Sequence, residues 1–239
     1  MQYIGLILTL AGLLFLLEQF RPNTVLPKVS GWHIRAFVFN SLQAVVAYLG
    51  TILWDVWFQE ISLFKLQELH LVWQVLLGYI VLTFVYYWWH RVRHTNNLLW
   101  RYLHQFHHSA RRIEVITSFY KSPIELVLNS LISSAILYTI LGISAEGVAL
   151  AVLVTALAEL IYHMNLKTPH IMGYFFQRPE MHRIHHESGK HHYNYSDLPL
   201  WDMLFGTFSN PKDISVQTGF PDDSETRVWD LLRGKKIKI

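Results

Sequence analysis

The stretch Leu99–Ser109, LWRYLHQFHHS, places three histidines within five residues of a chain whose neighbouring segments are strongly apolar. A second triplet with the same spacing follows at His182–His186, HRIHH. At about 100° per residue, helix positions i, i+3 and i+4 point into one arc of the helix surface. Each triplet is therefore predicted to present its three imidazoles to a common site.

Further histidines stand where apolar runs end, at His90 and His94 in YYWWHRVRH and at His163 in AELIYHMN. Each buried polar group without a partner costs about 1–3 kcal/mol. A layer that contains this many imidazoles must therefore supply partners for them. A fully hydrated layer is one alternative, and metal is the other, because neutral imidazole is a common metal ligand. Eight to ten imidazoles exceed the capacity of one ion, so a site for two metal ions is predicted. The chain has no cysteine, which excludes thiolate ligands, and spacing alone does not choose the metal.

The 239-residue chain is 52% hydrophobic and only 15% charged, against about 25% charged residues in soluble domains. Membrane-spanning helices need about 20 apolar residues, and five runs approach that length. They are Tyr3–Phe20, Ile34–Trp54, Leu71–Trp89, Ile124–Ile143 and Ala145–Met164. The first is the weakest, being short and carrying Glu18. We expect an all-α membrane bundle of four or five spanning helices with a cytoplasmic, histidine-rich helical cap, forming one membrane-embedded domain over residues 1–239.

Basic residues predict the orientation of this bundle. If the spans alternate in direction, only Lys65 of the 20 lysines and arginines falls on the side opposite the histidines. Cytoplasmic loops carry an excess of Lys and Arg, so the histidine layer and a polar tail over residues 165–239 are predicted to be cytoplasmic. Five arginines around the first two histidine motifs are expected to contact lipid headgroups, with guidance of an anionic lipid or a donor protein as the alternative. They are Arg91, Arg93, Arg101, Arg111 and Arg112. A net charge of +3 is too small to indicate a nucleic-acid partner.

The order of the motifs HRVRH, HQFHH, HMN and HRIHH, followed by NYSDLPLWDMLFGTF, resembles the fatty acid hydroxylase / sterol desaturase superfamily over roughly residues 80–210. The resemblance implies a catalytic region there, with two non-haem iron ions that use dioxygen to hydroxylate, or desaturate, a C–H bond of a membrane lipid. It also implies a separate electron donor, such as a reductase, a ferredoxin or a cytochrome, since no donor domain is recognisable. The implied metal ligands are His90, His94, His104, His107, His108, His163, His182, His185 and His186, with a tenth from His191 or His192, of which the predicted set takes His192.

Three further residues are candidates to orient these imidazoles. Glu159 is four residues before His163, so it either ligates metal, orients that ring, or is a carboxylate hydrogen-bonded within the bundle. Asn194 and Asp202 are expected to accept imidazole N–H groups. The alternative for this stretch is turn formation at Asn194 and Asp197, with Trp201, Leu204 and Phe205 docking the cap.

Two other classes of function compete with an oxygenase. A metal transporter or sensor would use histidines as exchangeable ligands, but it should carry polar positions along its spans. A haem-binding electron carrier would pair histidines inside opposing spans. The compact chain favours a bacterial inner membrane, whereas the lipid class and the oligomeric state are not readable from the sequence.

Overall fold

The computed structural model describes residues 2–214, 216–221 and 224–237, and the regular structure within them is helical. The α-helices, in chain order, are α1 (Gln2–Phe20), α2 (Trp32–Leu53), α3 (Asp55–Phe58), α4 (Leu71–Thr95), α5 (Asn97–Leu99), α6 (Gln105–His108), α7 (Pro123–Ser134), α8 (Ala145–His163), α9 (Pro179–His185), α10 (Pro199–Leu204) and α11 (Val228–Leu232). Short 3₁₀ turns occupy Leu66–Glu68, Val115–Thr117, His170–Tyr174 and Ser224–Thr226, and π-helical turns occupy Trp100–His104 and Ala135–Ile140.

Four helices are long and apolar enough to cross a membrane. They are Trp32–Leu53, Leu71–Thr95, Pro123–Ile140 (α7 with the π turn that continues it) and Ala145–His163. The part of α1 that could be assessed, Gly5–Phe20, is apolar but shorter than this standard, so four of the five predicted spans are supported within the described residues. Apolar side chains cover the outer surface of α2, where Ile34 and Phe37 are 73% and 74% exposed, as expected for lipid-facing positions. The predicted all-helical membrane bundle is confirmed, and the protein is an integral membrane protein.

Capping residues determine where the spans begin. Ser122 accepts a hydrogen bond from Glu125 N, and Pro123 occupies the first turn of α7, where its missing N–H costs nothing. Ser144 caps α8 in the same way, accepting from Gly147 N. Between these spans Gly142 has φ +61, and a Cβ there would lie 2.6 Å from Phe64 O, so the turn requires glycine.

α4 and α8 pack most extensively against each other and form the centre of the bundle. Gly78 allows this close approach, because a Cβ on it would lie 3.2 Å from Ala151 Cβ. At one end of the pair, Gln74 Oε1 accepts a hydrogen bond from Ser144 N at 2.8 Å. At the other end, α4 and α8 deliver His90, His94 and His163. The bundle therefore brings its histidines together at one end of the spans.

The segment after α8 differs from the expected polar tail. α9 covers the histidine end, but Ser196 and Trp201 contact Thr83, which lies well inside the span of α4. The aromatic and aliphatic side chains of the His170–Tyr174 turn and of α10 are largely exposed, whereas Asp202 is 1% exposed. The predicted polar tail therefore carries an apolar outer surface in this part, because alternation of apolar and polar residues in short segments does not reveal which side faces inward.

Candidate metal centre

Nine histidines form two adjacent groups, each with the composition of a metal site. In each group the candidate ligand atoms all lie within 4.8 Å of one another. Group one is His90, His94, His104, His108 and His185, and group two is His107, His163, His182 and His186. The groups adjoin, since the rings of His108 and His186 stack with centroids 4.2 Å apart. The structure therefore brings together nine of the ten histidines in the predicted ligand set.

Each histidine triplet divides between the two groups instead of facing one site. His104 and His108 (i and i+4) belong to group one and His107 to group two, whereas His182 and His186 belong to group two and His185 to group one. The reason is helical geometry: positions i+3 and i+4 are about 100° apart, so adjacent histidines point to different sides. The rings of His107 and His108 are accordingly at 90° to each other. Each triplet thus contributes ligands to both halves of the centre.

Local backbone features set the position of the first triplet. Asn96 ends α4 and accepts hydrogen bonds from Leu98 N and Leu99 N with its side chain, so the chain turns at once into a new helical segment. The π-helical turn Trp100–His104 then leads directly into α6. Such turns are rare and recur at functional sites, because they rotate the following side chains relative to a regular helix.

Three successive residues, Tyr193 to Tyr195, orient ligands through their backbone carbonyls. Tyr193 O accepts from His185 Nδ1 at 2.7 Å, and Tyr195 O accepts from His90 Nδ1 at 2.7 Å. Between them, Asn194 O accepts from the Gln177 side-chain amide, which lies 3.0 Å from His182 Nδ1. Asn194 has φ +57, a left-handed conformation that Asn tolerates, and its side chain bonds Met181 O and Ser209 O. This short segment therefore serves both groups.

Glu125 orients His104 from inside the bundle and was missed in the sequence. Its Oε1 accepts from His104 Nδ1 at 3.0 Å and is also paired with Arg93, and both charged side chains are buried. The headgroup contact expected for Arg93 was therefore wrong. The buried Glu125 carboxylate needs a counter-ion, and the Arg93 guanidinium provides it. Arg112 is likewise paired, with Glu114 at 2.5 Å. The available signal was the lone carboxylate at the start of an apolar span, a position that commonly marks a functional site.

The remaining nitrogen atoms of the rings indicate why metal fits. A carbonyl only accepts, so the rings of His107 and His163, bonded through Nδ1 to Tyr120 O and Glu159 O, carry their protons on Nδ1. Their Nε2 lone pairs then face each other at 3.4 Å. In group one, the buried Nε2 atoms of His90, His94, His104, His108 and His185 have no hydrogen-bond partner. Converging lone pairs repel unless a cation lies between them, and a metal ion in each group would remove this repulsion.

The electrostatics keep these ligands neutral. Burial lowers the pKa of His104, His107, His108, His182 and His186 well below the usual value, and that of His185 to about 3. Neighbouring imidazoles or cations lower each of these pKa values further. Only deprotonated imidazole binds metal, so the site is prepared for metal at neutral pH.

The other predicted site residues lie further out. His192 is exposed and outside both groups, whereas its neighbour His191 has its ring 4.7 Å from that of His108 and a buried Nε2 without a partner. The Glu159 carboxylate pairs with Lys121, and it is the carbonyl of Glu159 that accepts from His163 Nδ1. Asp202 accepts from Tyr195 N and Ser196 N, so it holds the backbone whose carbonyl orients His90.

Access to the centre is asymmetric. All of group two is buried, whereas His90 and His94 of group one are partly exposed. A cavity of about 310 Å³ adjoins group one and is lined by His94, Trp100, His191 and Tyr195, among others. Small molecules therefore reach group one more easily than group two.

Comparison with known proteins agrees with a histidine-rich metal centre in a membrane protein. The sequence model of the fatty acid hydroxylase family matches residues 75–207, more than half of the chain. Ornithine lipid hydroxylase OlsE of Rhizobium tropici is 33% identical over 142 residues, covering 58% of this chain and 42% of that protein. Sphingolipid C4-hydroxylase sur2 of Schizosaccharomyces pombe is 22% identical over 143 residues, covering 58% and 49%. Alkylglycerol monooxygenase of Danio rerio is 30% identical over 151 residues, covering 59% and 32%.

The chain spans about half the length of the curated relatives it matches first. No solved structure matches it. The matched residues run from α4 through α10, and thus include every histidine of both groups. With its histidine motifs, its helical membrane bundle and the family match over the same residues, this chain belongs to the fatty acid hydroxylase family.

Proposed function

We propose that this protein is a membrane-bound hydroxylase that uses dioxygen and external electrons to oxidise a C–H bond of a lipid. The observation that carries the proposal is the pair of adjoining histidine groups at the end of four membrane-spanning helices. The Nε2 atoms of group one are buried without hydrogen-bond partners, and those of group two converge to within 3.0–3.4 Å of their neighbours. The printed names of the relatives, an ornithine lipid hydroxylase, a sphingolipid hydroxylase and an alkylglycerol monooxygenase, favour hydroxylation of a lipid over desaturation.

In this proposal, residues 80–210 form the catalytic region within a single membrane-embedded domain over residues 1–239. The nine histidines of groups one and two would hold two iron ions, with His191 as a tenth ligand in group one. Bound iron would supply the reductive activation of dioxygen and the oxidation of the lipid C–H bond. Imidazole ligands suit non-haem iron, although zinc and copper also accept imidazole.

The protein's own groups prepare that chemistry. Carbonyls of Tyr193 and Tyr195 fix the tautomers of His185 and His90, so that Nε2 is the free ligand atom. Glu125 does the same for His104, and its ion pair with Arg93 keeps the carboxylate charge balanced in a buried position. Burial of group two excludes water from one side of the centre, which limits unproductive loss of an oxidant. Group one, with its adjoining cavity, is the side on which dioxygen and substrate meet.

The remaining assignments concern location and partners. We propose that the histidine end is cytoplasmic, supported by the distribution of Lys and Arg along the sequence. A bacterial inner membrane is supported by the similarity to the Rhizobium tropici hydroxylase. Electrons would come from a donor protein on the same side, because dioxygen needs two electrons beyond the two that the substrate supplies.

The test is oxygen incorporation in a defined membrane. The purified protein is reconstituted into vesicles that contain one candidate lipid class at a time, with a reductant and isotopically labelled dioxygen. The expected product carries one labelled oxygen atom, and it is absent with His185→Ala or with metal-depleted protein. A product that lacks two hydrogens would indicate desaturation. Metal accumulation inside the vesicles without any oxidised lipid would contradict the proposal and favour a transporter.

A further inference from the structure

Two segments after α8 form an exposed apolar surface, here called the apolar foot, defined as residues 171–176 and 199–205. Phe175 and Leu204 are 61% and 62% exposed. The other exposed apolar side chains of the foot are Ile171, Met172, Tyr174, Phe176, Leu200, Met203 and Phe205. Such a continuous exposed surface is unusual for a protein face in water and marks an interaction site.

The polarity of this region is reversed relative to a water-soluble surface. Arg178 and Glu180, which follow the first segment, are buried and paired at 3.1 Å, and Asp202 of the second segment is buried too. The two segments form one unit, because Gln177 N donates to Asp197 O at 3.1 Å and α10 packs on the His170–Tyr174 turn. Charged groups inside and large apolar groups outside are what a hydrocarbon solvent requires.

The foot reaches deep along α4. Ser196 Oγ donates to Thr83 O at 3.3 Å, and Trp201 Nε1 donates to Thr83 Oγ1 at 3.0 Å. Thr83 is seven residues before His90 and nine after Gln74, hence about 10 Å and about 14 Å from them along the helix axis. The chain at Tyr195–Ser196 therefore extends from the histidine layer, where Tyr195 O accepts from His90 Nδ1 at 2.7 Å, toward the middle of the span at Thr83.

The surface of the foot is continuous with the lipid-facing side of α4. The ring of Trp201 meets that of Phe84 at 5.0 Å, and the ring of Phe205 meets that of Trp88 at 4.9 Å. Phe84 and Trp88 remain 37% and 39% exposed beside these contacts. At the level of a membrane span the surrounding medium is hydrocarbon, so this surface fits lipid acyl chains better than a soluble protein partner.

The backbone within and beside the second segment of the foot is paired with protein groups, as this location demands. Irregular backbone at membrane depth is tolerated only when protein groups pair its N–H and C=O groups. The Asp202 carboxylate accepts from Tyr195 N at 2.8 Å and from Ser196 N at 3.0 Å, and Ser196 Oγ accepts from Leu198 N at 3.3 Å. Thr207 N donates to Asp202 O at 2.9 Å.

We propose that the apolar foot is a re-entrant element that dips into the hydrocarbon of the bilayer from the histidine side and contacts lipid acyl chains. Its charged boundary is given by Lys167 and Asp213, which are 66% and 88% exposed at their side chains and lie just outside the two segments. The foot places an apolar protein surface beside the route from the bilayer to group one.

The absence of native cysteine allows a direct test by site-specific labelling. Single variants Phe175→Cys, Leu200→Cys and Leu204→Cys on the foot, with Lys190→Cys as the exposed polar control, are labelled with an environment-sensitive fluorophore. Each is reconstituted into phospholipid vesicles that carry a nitroxide either on the acyl chain or on the headgroup. Quenching by the acyl-chain nitroxide is expected to be several-fold stronger on the foot than at position 190.

The quenching measurement needs no catalytic activity. A negative quenching result would therefore leave the proposed function intact, and a loss of the proposed function would leave the quenching result intact. Each labelled variant is first checked for the iron content of the unmodified protein, and the three foot positions substitute for one another if one variant misfolds. Equal quenching at positions 175, 204 and 190 would overturn the proposal. A blue-shifted label that acyl nitroxide does not quench, and that changes with the protein-to-lipid ratio, would indicate contact with a second copy and would also overturn it.

Discussion

At the residue scale, Glu125 is the side chain through which a buried ion pair supports the metal centre. Glu125→Ala leaves Arg93 buried without a counter-ion and removes the acceptor of His104 Nδ1. We expect the free energy of unfolding to fall by about 3–5 kcal/mol and iron affinity to fall about 10–100-fold. Unfolding and competition with a chelator measure the two effects. Glu187→Ala, which breaks an exposed pair with Lys190, is the control and should cost about 0–1 kcal/mol; equal effects of both substitutions would contradict the assignment.

Two adjacent histidines provide a second matched pair at this scale. His191 has a buried, unpartnered Nε2 beside group one and donates through Nδ1 to His185 O at 3.1 Å, whereas His192 is exposed. His191→Ala is expected to lower iron affinity about 10-fold or more, and His192→Ala to leave it unchanged. Iron content after dialysis against a weak chelator compares them. Greater iron loss in His192→Ala would restore the tenth ligand to the position predicted from the sequence.

The histidines themselves were predictable from spacing, but most of the groups that orient them were not. His90, His107 and His185 each stand in a motif that carries its own periodic signal. The carbonyls of Tyr193 and Tyr195 carry none, because every residue has a carbonyl and only the folded path of the chain determines its direction. The side chains of Asn194 and Asp202 were predicted to bond imidazoles directly. Both instead bond backbone groups, and Asp202 holds the segment whose carbonyls accept from the imidazoles.

At the element scale, helical rotation explains both what was predicted and what was missed. Four spans were predicted from the length of their apolar runs. This works because their outer surfaces face lipid, which requires only apolar side chains over a sufficient length. The split of each triplet followed from the same geometry: His107 and His108 are about 100° apart on their helix, too far to serve one ion. The depth of α10 could not be predicted, because it depends on contacts with Thr83 that join residues more than 100 positions apart.

α1 illustrates how one polar residue can fix an apolar helix. The Glu18 carboxylate accepts from Val115 N at 3.1 Å and from Asn165 N at 2.9 Å, so it joins α1 to both loops beside the centre. Glu18→Ala leaves two buried N–H groups unpaired, and each should cost about 1–3 kcal/mol. Unfolding and limited proteolysis should both show loosening of α1, whereas Gln19→Ala, at an exposed position, should change neither. Unchanged stability of the Glu18 variant would show that α1 is held by apolar contacts alone.

At the scale of the whole molecule, the buried imidazoles make the metal-free protein sensitive to acid. Burial lowers the pKa of His108, His182 and His186 well below 6.5, and that of His185 to about 3. Between the folded and unfolded pKa values the unfolded chain binds more protons, so the free energy of unfolding rises with pH. This contribution is fully present above about pH 6.5 and is lost as the pH falls, by up to about 1.4 kcal/mol per pH unit for each group. Thermal unfolding of chelator-treated protein across this range measures the slope, and a flat profile would contradict the burial of these rings.

Metal binding should also hold distant parts of the chain together. The two groups draw ligands from α4, the segment around α6, α8 and α9, and none of these brings enough histidines to form a group alone. A bound ion stabilises the folded state by about 2.7 kcal/mol at a hundred times its Kd, so two ions contribute about 5 kcal/mol. At about 2–4 °C per kcal/mol for a chain of this size, removal of both should lower the Tm by about 10–20 °C. Tryptophan fluorescence follows the transition before and after chelation, and iron, but not calcium, should restore the original Tm. Since calcium prefers oxygen ligands, equal rescue by both would show that the stabilising site is not the imidazole pair of groups.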